Sequence, residues 1–240
     1  MKVGVVTQAR MTSTRLPGKV LLQAAGRSML AHHVDRLRSA GLDVYIATTD
    51  NASDDPLVRE AHALDCPVFR GSEADVLSRY VGAARAFDLD IVVRVTSDCP
   101  LIDGALIARG IEEYLLFGDS PCYLSNSVER TYPRGLDFEI MSSDLLVEAD
   151  ALATEHYQRE HVTPYLYQSA HIAVHQMTRI PDASDLRITL DTEDDLVLIR
   201  VLLEQYSAAN LDAAGLVDLL RAHPELAAIN SHVEQKKLGE

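Results

Sequence analysis

The chain has 240 residues, with 22 Lys or Arg against 36 Asp or Glu and a net charge of −14. Hydrophobic residues make up 47% and charged residues 24%, the balance of a globular protein with a substantial core, which excludes a disordered chain. The acidic balance excludes broad nucleic-acid binding, which needs a basic face to displace counterions from phosphates. It leaves room for a small anionic ligand where cations are gathered locally.

Val3 to Val6 reads as a short buried strand that runs straight into polar Thr7-Gln8-Ala9-Arg10, too short for a signal-peptide core. Ser28 is the expected N-cap of a helix through Met29, Leu30, His33, Val34 and Leu37, ending near Gly41. Val44 to Thr48 is a second strand, and Asp54 or Asp55 opens a helix through Leu57, Val58, Ala61 and Leu64. Val68-Phe69 is a third strand, Asp75 to Ala86 a helix, and Ile91 to Val95 a fourth strand. This alternation predicts a mainly parallel sheet covered on both faces, with ligands at the carboxyl ends of its strands.

The second half is less regular. A helix is expected over Leu106 to Phe117, a strand over Leu136 to Ile140, and then two short helices, the second around His161 to Tyr167. His171 to Met177 reads as an edge or antiparallel strand, Thr192 to Gln205 and Asp212 to Arg221 as helices, and a polar tail ends Lys236-Lys237. No stretch approaches the ~20 apolar residues of a membrane span, so no membrane partner is expected. Cys66, Cys99 and Cys122 are odd in number and lack a CxxC, which predicts buried thiols in a reducing cytoplasm and neither a disulfide framework nor a zinc site.

The loop after the first strand, Gln8-Ala9-Arg10-Met11-Thr12-Ser13-Thr14-Arg15-Leu16-Pro17-Gly18-Lys19, holds three cations, no acid and a rigid Pro-Gly turn. Its backbone N–H groups can cradle phosphate oxygens while its cations neutralise them, although it lacks P-loop spacing. Of the 22 basic residues only Lys2, Lys19, Lys236 and Lys237 are lysines, so Lys19 is a compact ammonium in a chain that otherwise uses arginine. A solvated basic turn is the competing reading. Asp98, at the end of the fourth strand and followed by Cys99-Pro100, can ligate a hard cation or serve as a surface acid.

Arg15-Leu16-Pro17-Gly18-Lys19 resembles the signature loop of sugar nucleotidyltransferases with a glycosyltransferase-A-like Rossmann fold. Read from Gln8, the loop is similar to that of cytidylyltransferases activating acidic sugars, such as CMP-Kdo and CMP-sialic acid synthetases. The nearest branch is the spore-coat polysaccharide biosynthesis protein F family. Arg70-Gly71-Ser72-Glu73-x-Asp75-Val76-Leu77-x-Arg79-Tyr80, Asp98-Cys99-Pro100-Leu101-Ile102-Asp103, Arg159-Glu160-His161-Val162-Thr163-Pro164-Tyr165 and Leu190-Asp191-Thr192-Glu193-Asp194-Asp195-Leu196 resemble that branch in the same order, and Asn230 to Lys237 is similar at the tail.

The resemblance implies one nucleotidyltransferase domain over residues 1–240, a Rossmann-like α/β three-layer sandwich with a mainly parallel mixed sheet. A substrate and dimerisation subregion is expected around residues 120–180. The implied reaction is transfer of CMP from CTP to a sugar acceptor, in the cytoplasm, by a homodimer without nucleic-acid or membrane partners. Arg15, Lys19 and Asp98 are the implied catalytic residues. Gln8, Ala9, Arg10, Ser13, Arg15, Lys19, Arg70, Gly71 and Asp75 would bind nucleotide, with Arg79 a further candidate that can equally pair with Asp75 across its helix.

Asp98 and Asp191 would hold Mg2+. Asp191-Thr192 equally has the look of a helix start, and Glu193, Asp194 and Asp195 read as surface acids favouring its dipole. The family more often has glycine where this chain has Ser97. Tyr132, Arg134, Asp137, Glu139 and His161 are expected at the acceptor: Arg134 on a carboxylate, Asp137 and Glu139 on sugar hydroxyls from one strand face, with salt bridges at the strand edge as the rival role for these acids. A glycosyltransferase using a finished nucleotide sugar and a non-catalytic nucleotide-binding module are the alternatives.

Overall fold

The structure is a computed structural model describing residues 1–118 and 120–235. The first half runs through β1 (Val3–Gln8), a small hairpin of β2 (Gln23–Ala24) and β3 (Arg27–Ser28), α1 (Met29–Arg38), β4 (Val44–Thr49), α2 (Asp55–Ala63), β5 (Val68–Gly71), α3 (Val76–Ala86), β6 (Ile91–Thr96) and α4 (Gly104–Leu115). The second half adds β7 (Cys122–Ser125), β8 (Glu139–Ser142), α5 (Ser143–Leu152), α6 (His156–His161), α7 (Pro164–Gln168), β9 (Ala173–Gln176), α8 (Glu193–Gln205), α9 (Ala213–Ala222) and α10 (Pro224–Ala228). Lys236 and Lys237 lie outside the described residues.

Among the described residues one sheet has the order β5-β4-β1-β6-β8-β7-β9. β5, β4, β1 and β6 are parallel, and β8 runs antiparallel to both β6 and β7. Successive side chains on a strand point to opposite faces, and the sheet has a core on each. Val5, Val93, Val95 and Ile140 pack on one face and Val6, Val92 and Met141 on the other. Every residue of β4 is buried, as expected of a strand covered on both sides. The chain leaves β1 toward β4 and returns on its other side as β6. The crevice beyond the carboxyl ends of β1 and β6 is therefore the switch point of the sheet, with Gln8 opposite Thr96.

Side-chain caps start α1 and α3. The Ser28 hydroxyl accepts from the Ala31 N–H at 3.0 Å at the start of α1, and the Asp75 carboxylate from the Ser78 N–H at 3.0 Å at the start of α3. Instead of one helix over His161 to Tyr167 there are two, α6 and α7. Val162 between them has φ of 73°, and Pro164 lacks the N–H and the room needed to continue α6.

Leu136 to Phe138 is not strand, so only Glu139 and Ile140 of the expected strand belong to β8. The Asn126 side chain takes the ladder's place there: its amide donates to the Leu136 carbonyl at 2.8 Å and its oxygen accepts from the Phe138 N–H at 2.9 Å. β7 and α10 were not among the elements expected from the sequence. β9 is an edge strand, parallel to β7. The three cysteines are free and buried, and no helix among the described residues is long and apolar enough to cross a membrane.

One core group makes the fold acid-sensitive. His33 of α1 is fully buried; its Nδ1 lies 2.9 Å from the Cys99 carbonyl, while Nε2 has no partner. Burial outweighs the opposing pull of that carbonyl and of Asp98, and lowers its pKa from 6.5 to about 4. Unfolding therefore takes up a proton between those values, so stability falls as pH drops through that window and levels off below it. At 1.36 kcal/mol per pKa unit, the wild type should lose about 3 kcal/mol more than His33→Asn between pH 7 and pH 4 in urea unfolding. Equal losses would remove His33 as the cause.

Candidate active site

A cavity of about 1390 Å3 opens at the carboxyl ends of β1 and β6. The basic loop forms one wall. It is closed by the Gly18 N–H donating to the Met11 carbonyl at 2.9 Å, with Gly18 in the left-handed region at φ of 69°. The Met11 N–H donates to the Asp54 carboxylate at 2.8 Å, and that carboxylate, fully buried, also takes the Thr48 and Thr49 hydroxyls. Asp54 thus anchors the loop to the end of β4 instead of capping α2.

Lys19 follows this turn. Its ammonium donates to Asp98 Oδ2 at 2.8 Å and Asp191 Oδ1 at 2.7 Å, so two acids far apart in sequence meet on one nitrogen. Asp191 Oδ2 lies 3.0 Å from Arg15 and 2.9 Å from Arg187. Burial works against the Lys19 charge, but Asp98 and Asp191 together outweigh it and hold its pKa above the ordinary value. Burial likewise opposes ionisation of Asp98, and Lys19 with hydrogen bonds from Thr96 and Cys99 prevails, so its carboxyl titrates below the usual range.

The segment carrying Asp191 is braced from below. Asp195 is fully buried, not a surface acid: it completes a capping box with Thr192, accepts from Arg187 Nε at 2.8 Å and takes the Asn230 amide at 2.7 Å. Gln235 accepts from Arg187 Nη1 at 2.8 Å and lines the cavity. Gly135 lets the chain pass this segment closely, because a Cβ there would fall 2.7 Å from Thr189 N.

Gln8, Ala9, Arg10 and Ser13 line the cavity with Arg15 and Lys19. Arg10 is 3.6 Å from Glu73. The Ser97 hydroxyl donates to the Gln8 carbonyl at 2.7 Å and ties the ends of β1 and β6 together. Ser97 is not among the residues with positive φ, so the position does not demand glycine.

Arg70, Gly71 and Asp75 do not reach the cavity. The Arg70 guanidinium is spent on the Thr49 and Asn51 carbonyls and Asp55. Gly71 sits against Phe69 and Arg79, and Asp75 caps α3 and pairs with Arg159. That wall is formed instead by Glu73, Ala74, Val76 and Arg79, with the Arg79 guanidinium donating to the Ser72 carbonyl at 2.8 Å and not to the Asp75 carboxylate.

Tyr132 packs in the core away from the cavity, whereas Arg134, Asp137, Glu139 and His161 all line it. The Arg134 guanidinium has no hydrogen-bond or ion-pair partner among the described residues; burial and the nearby Arg130 and Arg187 charges lower its pKa. Asp137 pairs with Arg130, the salt-bridge role. Glu139 is buried and takes Arg94, the Tyr123 hydroxyl and the Thr163 hydroxyl. Burial lowers the pKa of His161.

Arg94, Arg130, Thr163, Tyr167 and Gln235 also stand in these walls and were not among the expected site residues. Arg94 had a signal of its own, a charge inside the otherwise apolar strand Ile91 to Val95, and Thr163 and Gln235 lie in segments that resemble the family.

The donor set at Asp98 and Asp191 is two hard carboxylates converging on one cationic position, and among the described residues no three His, Cys, Asp or Glu side chains gather. Two protein carboxylates fit Mg2+, which fills its remaining positions with substrate phosphates and water. They do not make a cage complete in itself.

A Rossmann-like sheet whose switch-point crevice joins a basic loop to two acids defines a nucleotidyltransferase. The chain belongs to the cytidylyltransferase family, whose model matches residues 5–205. It is 36% identical over 245 residues to an uncharacterized protein of Methanocaldococcus jannaschii, covering 100% of this chain and 99% of that one. It is 32% identical over 235 residues to the spore coat polysaccharide biosynthesis protein SpsF of Bacillus subtilis, covering 92% and 95%. A solved cytidylyltransferase from Leptospira borgpetersenii superposes with a TM-score of 0.90 at 30% identity over 99% of both chains.

Proposed function

We propose that the protein transfers the cytidylyl group of CTP to a hydroxyl of a sugar bearing an acidic group, giving a CMP-sugar and pyrophosphate, with Mg2+ held by Asp98 and Asp191. The observation that carries this reading is the meeting of Asp98, Asp191, Lys19 and Arg15 at one end of β1 and β6 in a cavity also lined by Arg134. The sugar oxygen bonds to the α-phosphorus as the bond to the bridging oxygen breaks. The hydroxyl proton passes to solvent, and the electron pair leaves on pyrophosphate. Such transfer needs in-line positioning and charge neutralisation more than covalent chemistry.

Lys19 and Arg15, with Arg10, hold the β- and γ-phosphates and stabilise the leaving charge. Mg2+, when bound, supplies neutralisation of the α-phosphate oxygens. Gln8, Ala9 and Ser13 line the nucleotide's path. Arg134 offers an unspent fork to the acceptor's acidic group, a bidentate geometry suited to a carboxylate. Asp137 and His161 stand beside it for sugar hydroxyls. The Bacillus subtilis relative is named for spore coat polysaccharide biosynthesis, and we place the product in surface-polysaccharide assembly, made in the cytoplasm. A second copy would pair along the β9 edge, near exposed Val174, Ile180 and Leu116; sedimentation showing only monomer would discard that arrangement.

The test is a pyrophosphate-release screen of four NTPs against acidic sugars. Release is expected with CTP only when a suitable sugar is present, to vanish with EDTA and to return with Mg2+. CTP binding without pyrophosphate from any sugar would favour a non-catalytic module. Sugar transfer from a nucleotide sugar with no pyrophosphate would make the protein a glycosyltransferase.

A further inference from the structure

The Lys19 ammonium engages one oxygen of each acid, Asp98 Oδ2 at 2.8 Å and Asp191 Oδ1 at 2.7 Å. These are the two carboxylates assigned to the divalent ion, so the inference rests on the proposed function. An ion bound to the same oxygens at ~2.1 Å would sit against the ammonium, and the repulsion between them would expel one or the other. The remaining oxygen of Asp191 is already shared by Arg15 and Arg187. Of the three cations, Lys19 alone spans both acids.

Lys19 is also built to change partner. Its backbone is fixed: Gly18 precedes it in the left-handed region, the Lys19 N–H donates to the Leu16 carbonyl at 3.3 Å, and its own carbonyl accepts from the Leu22 N–H at 3.2 Å. Its flexible four-carbon stem lies in the cavity wall. Moving the ammonium from the carboxylates to a phosphate therefore needs a rotamer change and no loop movement.

We propose that Lys19 is a built-in competitor for the divalent cation. Paired with Asp98 and Asp191, it keeps the two acids neutralised until a triphosphate draws it away. The carboxylates then become free for the cation that accompanies the nucleotide. Cation and nucleotide binding are thereby coupled, each strengthening the other through one side chain. Lys19 in this role differs from a simple phosphate ligand, because removing it strengthens one ligand's binding while weakening the other's.

The test is Mn2+ binding to the full chain without nucleotide, followed by the loss of the free-ion signal in electron paramagnetic resonance. Lys19→Met should bind Mn2+ at least ~10-fold more tightly than wild type, within the usual range of such couplings. Lys19→Arg, which keeps a competing cation, should stay near wild type. Thermal melts establish that each variant is folded, and Lys19→Gln is read in parallel should the Met variant lose its transition. Folded Lys19→Met and Lys19→Gln that bind no more tightly than wild type overturn the inference alone. If they bind tightly but adding Asp98→Asn leaves that binding unchanged, the cation lies elsewhere and the metal assignment falls with it.

Discussion

Lys19→Ala should lower turnover at saturating CTP by ~10²–10³ while leaving the chain folded, the usual cost of removing one preorganised charge from a developing anion. The physical case is specific to this position. The ammonium is held in the cavity wall by two buried-side carboxylates and sits on the carboxyl-end crevice of β1 and β6. The chain has no other lysine between Lys2 and Lys236. Its loss leaves Asp98 and Asp191 facing each other with only Arg15 and Arg187 to balance them. The measurement is steady-state pyrophosphate release over a CTP titration. A variant with wild-type turnover at saturating CTP and only a raised KM would make Lys19 a binding group with no share in the chemical step.

The second large effect is on stability. Glu139→Ala should destabilise the protein by ~3–5 kcal/mol, the cost of leaving a buried charge without its partner. At 2–4 °C per kcal/mol for a chain of this size, that is a fall of ~10 °C in Tm. Arg94 and Glu139 are both largely shielded, on adjacent strands β6 and β8 in direct register. Burial opposes the Arg94 charge, and Glu139 more than reverses this, keeping its pKa above the ordinary value. The Tyr123 and Thr163 hydroxyls would lose their acceptor in the same stroke. Thermal melting at neutral pH is the check. An unchanged Tm together with a raised KM for the sugar would instead assign Glu139 to acceptor hydroxyls.

The contrast between these two residues shows what can be read from a chain of letters. The first strand, its basic loop and Asp98 were legible because each is local: an apolar run, a Pro-Gly turn, a carboxylate after a strand. Parallel order puts the loop after β1 and Asp98 after β6 on one side of the sheet. Asp191 follows no strand of the sheet and equally had the look of a helix start, so only the family resemblance pointed to its place beside Lys19. Side-chain direction was not legible. Arg70 lies at the carboxyl end of β5, yet its fork turns back onto the loop after β4, where each of its three nitrogens donates to a carbonyl or to Asp55.

Asp195 reads as one more acid in a helix's first turn. Its burial depends on Arg187 and Asn230, brought in from eight residues before it and 35 after it. The strand expected at Leu136 failed for a similar reason: the Asn126 side chain, ten residues away, takes over the hydrogen bonds a ladder would have used. Tyr132, at the entry to that irregular stretch, packs into the core where a turn residue facing substrate was expected.

The proposed chemistry depends most directly on where a cation sits when the nucleotide is bound. Crystals grown with CTP and Mn2+ and measured at the manganese absorption edge would reveal it in an anomalous difference map. One peak is expected in contact with both the Asp98 and Asp191 carboxylates, with the Lys19 ammonium moved onto the triphosphate. A peak remote from either acid, or Lys19 still bridging the two carboxylates beside bound CTP, would contradict the proposed chemistry.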